Sequence, residues 1–253
     1  MRQEACPRHF AETQRATFKC PPPFARPVPL PKSVKVVLFD FDQTLIHLGA
    51  DWEALRVNVE AIAQRYGVPF DEKWVLRGIG QAFKHLVDDG KQHEAAEFRT
   101  EAFKLVEDTE NAALDRSHAI ERAPEVVAEL IRRGYKVAIV SNNNPRSIAE
   151  ALKRFGFPHI DHVIGRNNGD PVKPSPIPVH KALTKLGHKA GEAVIVGDGE
   201  ADMGAGKAAG VATILYSPPG QTKETATKPT ERVQDLSALL TMFPPIENGH
   251  AAK

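Results

Sequence analysis

The chain has 253 residues, 42% of them hydrophobic and 26% charged, a globular composition that excludes disorder throughout and can bury a sizeable core. Its 33 Lys and Arg against 32 Asp and Glu leave a formal net charge of +1, without the basic excess of a nucleic-acid binder. No apolar run approaches the roughly 18 residues that a membrane-spanning helix needs, so neither nucleic acid nor membrane is an expected partner.

In chain order, residues 1–32 carry Pro7, Pro21, Pro22, Pro23, Pro27, Pro29 and Pro31 and show no helical or strand periodicity, which predicts an extended, disordered lead-in. Its basic residues outnumber Glu4 and Glu12. An organelle transit segment is therefore an alternative to a cytoplasmic location, although the segment lacks serine and its prolines oppose an amphipathic helix. Cys6 and Cys20 both fall here, which speaks against a disulfide framework or a Cys-based metal site. Val34 to Phe41 is β-branched and aromatic without alternation, as suits a strand buried on both faces of a parallel sheet. From Asp51 to Ala119 apolar residues recur at three- and four-residue spacing, predicting a block of amphipathic helices without strands. Strand and helix then alternate. The pattern predicts helix Pro124 to Arg133, strand Lys136 to Val140, helix Pro145 to Phe155 and strand His162 to Gly165. It continues with helix Ile177 to Leu186, strand Ala193 to Val196, helix Met203 to Ala209 and strand Val211 to Leu215. Ser217 to Pro229 reads as loop, Arg232 to Phe243 as a last helix and residues 244–253 as a tail.

Such alternation implies right-handed crossovers and a parallel sheet, whose ligands sit beyond the carboxyl ends of the strands. Three apolar strands end there in polar residues: Asp40 and Asp42, Ser141 and Asn142, Asp198 and Asp202. Lys173 stands in a loop before a helix. If the strands are neighbours, four carboxylates and one ammonium converge, and each close like-charge pair costs roughly 4 kcal/mol at an effective dielectric near 20. Such a cluster needs a cation, and oxygen donors without His or Cys favour magnesium, which commonly works with a substrate phosphate. Phosphoryl transfer through an aspartyl-phosphate is the chemistry these residue types suit.

Asp40-Phe41-Asp42-Gln43-Thr44, Ser141, Lys173 and Gly197-Asp198-Gly199-Glu200-Ala201-Asp202 resemble the four ordered motifs of the haloacid dehalogenase superfamily, over about Val34 to Leu215. The resemblance implies a Rossmann-like α/β core over residues 33–48 and 120–243. It also implies a small α-helical cap over residues 49–119, as in phosphoglycolate-phosphatase-like members. It further implies that Asp40 is nucleophile and Mg2+ ligand, and that Asp42 is acid then base, with its carbonyl on the metal. Thr44 would hold the loop, Ser141 with the amides around Asn142 would bind the phosphoryl group, and Lys173 would balance charge. Asp198 and Asp202 would complete the metal site. Asp42 argues against dehalogenation. Gln43 and Gly199 depart from the pattern, standing where glycine and a hydroxyl residue are common, and Gly199 puts the metal loop in question.

The substrate expected is a small phosphorylated metabolite such as phosphoglycolate or a sugar phosphate, handled by a monomer or homodimer. A phosphomutase and an inactive binding protein of the same fold are the alternatives. Gly204 to Gly210 lacks P-loop spacing and reads instead as small residues that let a helix lie close to the sheet. His159 and His162 are expected at the surface or in packing, Trp52 and Phe83 in the core of the helical block. Arg56, Arg77, Lys84, His85 and Arg99 are expected on its solvated face, with one or two of them available to meet substrate.

Overall fold

The computed structural model describes residues 28–167 and 170–246. The expectations placed on residues 1–27, the transit segment and both cysteines among them, lie outside the described residues. Val28 and Leu30 do not belong to a detached lead-in, because both pack against the core.

The first strand, β1 (Val36–Phe39), is followed by a two-residue strand, β2 (Ile46–His47). Three helices come next: α1 (Trp52–Arg65), α2 (Val75–Asp88) and α3 (Gln92–Ala113). A short β3 (His118–Ala119) pairs antiparallel with β2, so the helical block is entered and left through one two-stranded ribbon. The block is therefore not strand-free, as its periodicity suggested: two residues per strand carry no periodic signal. Then follow α4 (Ala123–Arg132), β4 (Lys136–Val140), α5 (Pro145–Arg154), β5 (His162–Ile164) and α6 (Ile177–Leu186). The chain continues through β6 (Ala193–Gly197), α7 (Glu200–Ala208), β7 (Ala212–Tyr216), β8 (Glu231–Val233) and α8 (Ala238–Met242).

Six strands form one parallel sheet in the order β5-β4-β1-β6-β7-β8. The chain winds outward from β1 in both directions, so the strand order reverses beside β1, and ligands of open α/β sheets bind at such a reversal. The run VVLF is apolar on both faces for a visible reason. Val37 and Phe39 enter a core cluster with α4, α5 and α8, while Val36 and Leu38 enter another with α6 and α7. The helices α1–α3 bury a third cluster of their own, built on Leu55, Val59, Ile79, Leu86, Phe98 and Val106. Phe83 packs partly buried against it, but Trp52 is 36% exposed and does not belong to that core. Trp52 opens α1, where a first-turn side chain has no preceding turn to cover it.

The C-terminal expectation needs a second correction. Arg232 begins no helix; Glu231–Val233 instead adds a sixth strand alongside β7, and helix is confined to Ala238–Met242. A three-residue edge strand is too short for its period to outweigh a helix-like pattern. Nor is residue 246 part of a frayed tail, since its N–H donates to the Arg133 carbonyl and its side chain packs on the core.

The small residues of α7 do let it approach the sheet. A Cβ on Gly206 would stand 2.5 Å from methyl carbons of both Ile195 and Thr213. Gly206→Val is expected to cost about 2 kcal/mol of stability by overpacking, read as a lower urea midpoint with an unchanged slope.

Candidate functional site

The register of the sheet builds the site. Phe39 lies opposite Ile139 on one side and Val196 on the other, so β1, β4 and β6 end at the same level. Asp40, Ser141 and Asp198 follow from three adjacent strand ends, and Lys173 arrives from the segment before α6.

Lys173 is 3% exposed and its ammonium bridges two carboxylates, donating to Asp40 Oδ1 at 2.6 Å and to Asp202 Oδ1 at 2.5 Å. The other Asp40 oxygen, Oδ2, accepts from the Thr44 hydroxyl at 3.4 Å. Asp202 reaches the rim from the first turn of α7, where its Oδ2 accepts from Gly199 N–H at 3.2 Å and caps the helix. That approach demands a bare backbone at Gly197, whose Cβ, if it had one, would lie 2.3 Å from Asp202 Cγ. Gly199, by contrast, is extended and a Cβ there meets nothing, so a side chain is not excluded at that position. Gln43 adopts a φ of 62°, the left-handed conformation glycine favours, which explains why it is the unusual residue in its motif.

Asp42 closes the loop after β1: its Oδ1 accepts from Leu48 N–H and from Gln43 Nε2, each at 3.0 Å. Ser141 donates to Asn143 Oδ1 at 2.9 Å and accepts from Asn143 N–H at 3.1 Å. The Asn142 side chain is committed at both ends to the backbone of Lys173. Its Nδ2 donates to the carbonyl at 3.0 Å and its Oδ1 accepts the N–H at 2.9 Å. It therefore sets the lysine, and only the Asn142 backbone N–H is left for a phosphoryl oxygen.

Ligand oxygens of Asp40, Asp198 and Asp202 lie within 4.8 Å of one another. Burial, reinforced by Asp202, pushes the Asp40 carboxyl up to about 8 in spite of Lys173. Burial, with the charge of Asp198 adding to it, pushes Asp42 up to about 7 against its hydrogen bonds to Leu48 and Gln43. Asp198 is raised too, by burial and by Asp202. Burial works against the charge of Lys173, yet Asp202 and Asp40 hold its ammonium above the usual lysine range. The acidic rim is thus short of positive charge, and three hard oxygen donors this close fit a divalent cation such as magnesium.

One further cation was missed in the sequence. Lys223, in the loop between β7 and β8, reaches Asp198 Oδ2 at 2.5 Å. Its signal is its place after the carboxyl end of a strand, hidden inside a stretch with no motif. Of the charged residues on the helical block, Arg56 pairs with Glu53 and Glu60, Arg77 with Glu72 and Lys84 with Asp88. His85 lies near Asp89 and Arg99 covers Phe83, so none of the five joins the carboxylate rim. His159 is exposed and His162 partly buried, both away from the rim.

The family model of the haloacid dehalogenase-like hydrolases matches residues 37–216. A phosphoglycolate phosphatase of Aquifex aeolicus is 31% identical over 186 residues, covering 72% of this chain and 84% of that protein. The pyrophosphatase PpaX of Halalkalibacterium halodurans is 30% identical over 191 residues, covering 72% and 83%. Among solved structures, YfnB of Bacillus subtilis, bound to magnesium, aligns with a TM-score of 0.54 at 19% identity over 84% of this chain and 99% of its own. A haloacid dehalogenase-like hydrolase from Streptococcus pneumoniae gives 0.54 at 18% identity, over 83% and 99%.

Replacing Lys173 by Met leaves Asp40 and Asp202 buried together without their cation. In metal-free buffer that variant is expected to lose about 3 kcal/mol of stability by urea denaturation, as when one partner of a buried pair is removed.

Proposed function

The chain belongs to the haloacid dehalogenase-like hydrolase family, and from that premise we propose that it is a magnesium-dependent phosphatase acting on a small phosphomonoester through a phosphorylated Asp40. The observation that carries the reading is the Lys173 ammonium shared between Asp40 and Asp202 at the edge of three adjacent strands.

Asp40, Asp198, Asp202 and the carbonyl of Asp42 are the groups that would hold magnesium, which supplies positive charge to offset that of the phosphoryl oxygens. The Asp40 carboxylate attacks phosphorus while the bond from phosphorus to the leaving oxygen breaks. Lys173 holds that carboxylate in place and keeps compensating charge beside it through the step. Asp42 is the proton carrier. Its carboxyl titrates at about 7, suited to protonate the leaving oxygen and then to accept a proton from the water that hydrolyses the phosphoenzyme. Inorganic phosphate and a free Asp40 carboxylate complete the cycle. The Asn142 backbone N–H, left free when Asn143 N–H bonds Ser141 and Asn144 N–H bonds Glu110, is a donor for a non-bridging oxygen.

The helices α1–α3, with their own core and ribbon entrance, are read as a cap that closes over the substrate. Phosphoglycolate is the substrate proposed first, with support from the Aquifex relative's name; the PpaX name makes pyrophosphate the competing substrate. The intact acid, base and lysine favour an enzyme over an inactive binding protein, and a requirement for a sugar bisphosphate would mark a phosphomutase instead. A cytoplasmic location goes with this reading.

Turnover of p-nitrophenyl phosphate is expected to require magnesium, to vanish with EDTA and to fall by about a thousandfold or more in Asp40→Asn. Equal rates for wild type and Asp40→Asn would remove the nucleophile assignment, and a panel including phosphoglycolate and pyrophosphate ranks substrates by kcat/KM. Asp42→Asn is expected to lower kcat by about a hundredfold or more, the usual share of a positioned acid and base. Lys223→Ala, which removes a cation from Asp198, is expected to tighten magnesium binding about fivefold by calorimetry, as befits a partly exposed pair.

A further inference from the structure

A second buried charge cluster lies behind the phosphoryl-binding loop, and the reaction just described leaves it without a role. Glu110, near the end of α3, is 1% exposed, and Arg166, just after β5, is 5% exposed. The two form a forked pair, Arg166 Nη1 donating to Glu110 Oε1 at 2.8 Å and Nη2 to Oε2 at 3.2 Å. Nη1 also donates to the Asn142 carbonyl at 2.7 Å, and the guanidinium lies over the Phe103 ring at 5.5 Å.

The remaining capacity of Glu110 is spent on the loop after β4. Its Oε2 accepts from Asn144 N–H at 2.9 Å and from Asn144 Nδ2 at 2.5 Å, and its Oε1 accepts from Asn143 Nδ2 at 3.3 Å. An ionised carboxylate only accepts hydrogen bonds, so the end of the Asn143 amide that faces it must be the NH2. The opposite end, Oδ1, is thereby aimed at Ser141, whose hydroxyl donates to it, while Asn143 N–H donates to Ser141 Oγ. Direction passes from Arg166 to Glu110, to Asn143, to Ser141.

Stability does not account for this arrangement. A buried ion pair scarcely repays the desolvation of its charges, and an apolar pair of equal volume would hold α3 as well. Arg166 Nε, moreover, is buried with no partner among the described residues. What the pair supplies that apolar contacts cannot is orientation of polar groups beside the reacting centre.

We propose that Glu110 and Arg166 are positioning residues for phosphoryl binding: the Glu110 carboxylate, held by the Arg166 fork, sets the Asn143 amide and through it the turn at Ser141, whose Asn142 N–H is the backbone donor left for a phosphoryl oxygen. Because Glu110 belongs to α3, the loop is competent only when the helical block is seated on the sheet. This rests on the phosphatase reading, and the test separates the two.

Glu110→Gln keeps the shape but lets the Asn143 amide face either way. With magnesium present, its affinity for inorganic phosphate by calorimetry is expected to fall about tenfold or more, and kcat/KM for p-nitrophenyl phosphate about thirtyfold. The loss divides between a raised KM and a lowered kcat, and magnesium affinity stays within about twofold of wild type. Arg166→Lys retains the charge without the fork, so Glu110 keeps a cation and the variant should fold; an intermediate loss of about five- to tenfold is expected. Wild-type phosphate affinity and kcat/KM in both variants, with only the melting temperature lowered, would overturn the proposal. If wild type neither binds phosphate nor turns over, the phosphatase reading fails by itself. The positioning proposal is then decided by amide hydrogen exchange of residues 141–144, which Glu110→Gln must accelerate about tenfold while residues 194–197 stay protected; unchanged exchange overturns it.

Discussion

A single buried ammonium holds the rim together. Asp40 follows the central strand and Asp202 lies in the first turn of a helix, and their approach inside the protein is bridged by Lys173 at 2.6 and 2.5 Å. Like carboxylates in a poorly solvated edge repel strongly. The lysine converts that repulsion into an ordered triad, and it does so from a loop whose backbone is itself pinned by both ends of the Asn142 amide. Charge balance thus ties three parts of the sheet edge to one point.

The compensation is deliberately incomplete. With Lys173 and Lys223 both counted against Asp40, Asp42, Asp198 and Asp202, two formal negative charges remain, and burial answers by raising Asp40 to about 8 and Asp42 to about 7. A site left in that state takes either protons or a divalent cation. The magnesium reading follows from this deficit together with the all-oxygen donor set, and the place of the chain in a hydrolase family agrees with it.

Backbone geometry makes the cluster possible. Gly197 leaves room for the Asp202 side chain, Gly206 lets α7 lie against β6 and β7, and Gln43 accepts a left-handed turn so that the chain doubles back and Leu48 N–H meets Asp42. On the far side of the loop after β4, the pair of Glu110 and Arg166 fixes the asparagines that adjoin Ser141. The loop after β4 is therefore held between two charge clusters, one of which includes a helix from the inserted block.

The sequence by itself determined the parallel sheet, since uninterrupted apolar runs alternating with helices bury only one way. It also determined the ends of β4 and α6, bounded by a turn glycine and prolines, and the polar residues after β1, β4 and β6. Those features are local, written in period, punctuation and residue type. Lys223 and the pair of Glu110 and Arg166 were decided by tertiary structure, because a charged residue becomes a partner only when distant segments meet. A trace of Glu110 was present: Phe98, Ala102 and Val106 recur every fourth residue and the same step lands on it, so its burial continues the apolar stripe of α3. What covered that stripe, and that an arginine 56 positions away would meet it, only the folded chain could fix. The short strands β2, β3 and β8 were likewise settled by partners, since two or three residues hold too little pattern to declare a strand until a neighbour supplies its hydrogen bonds.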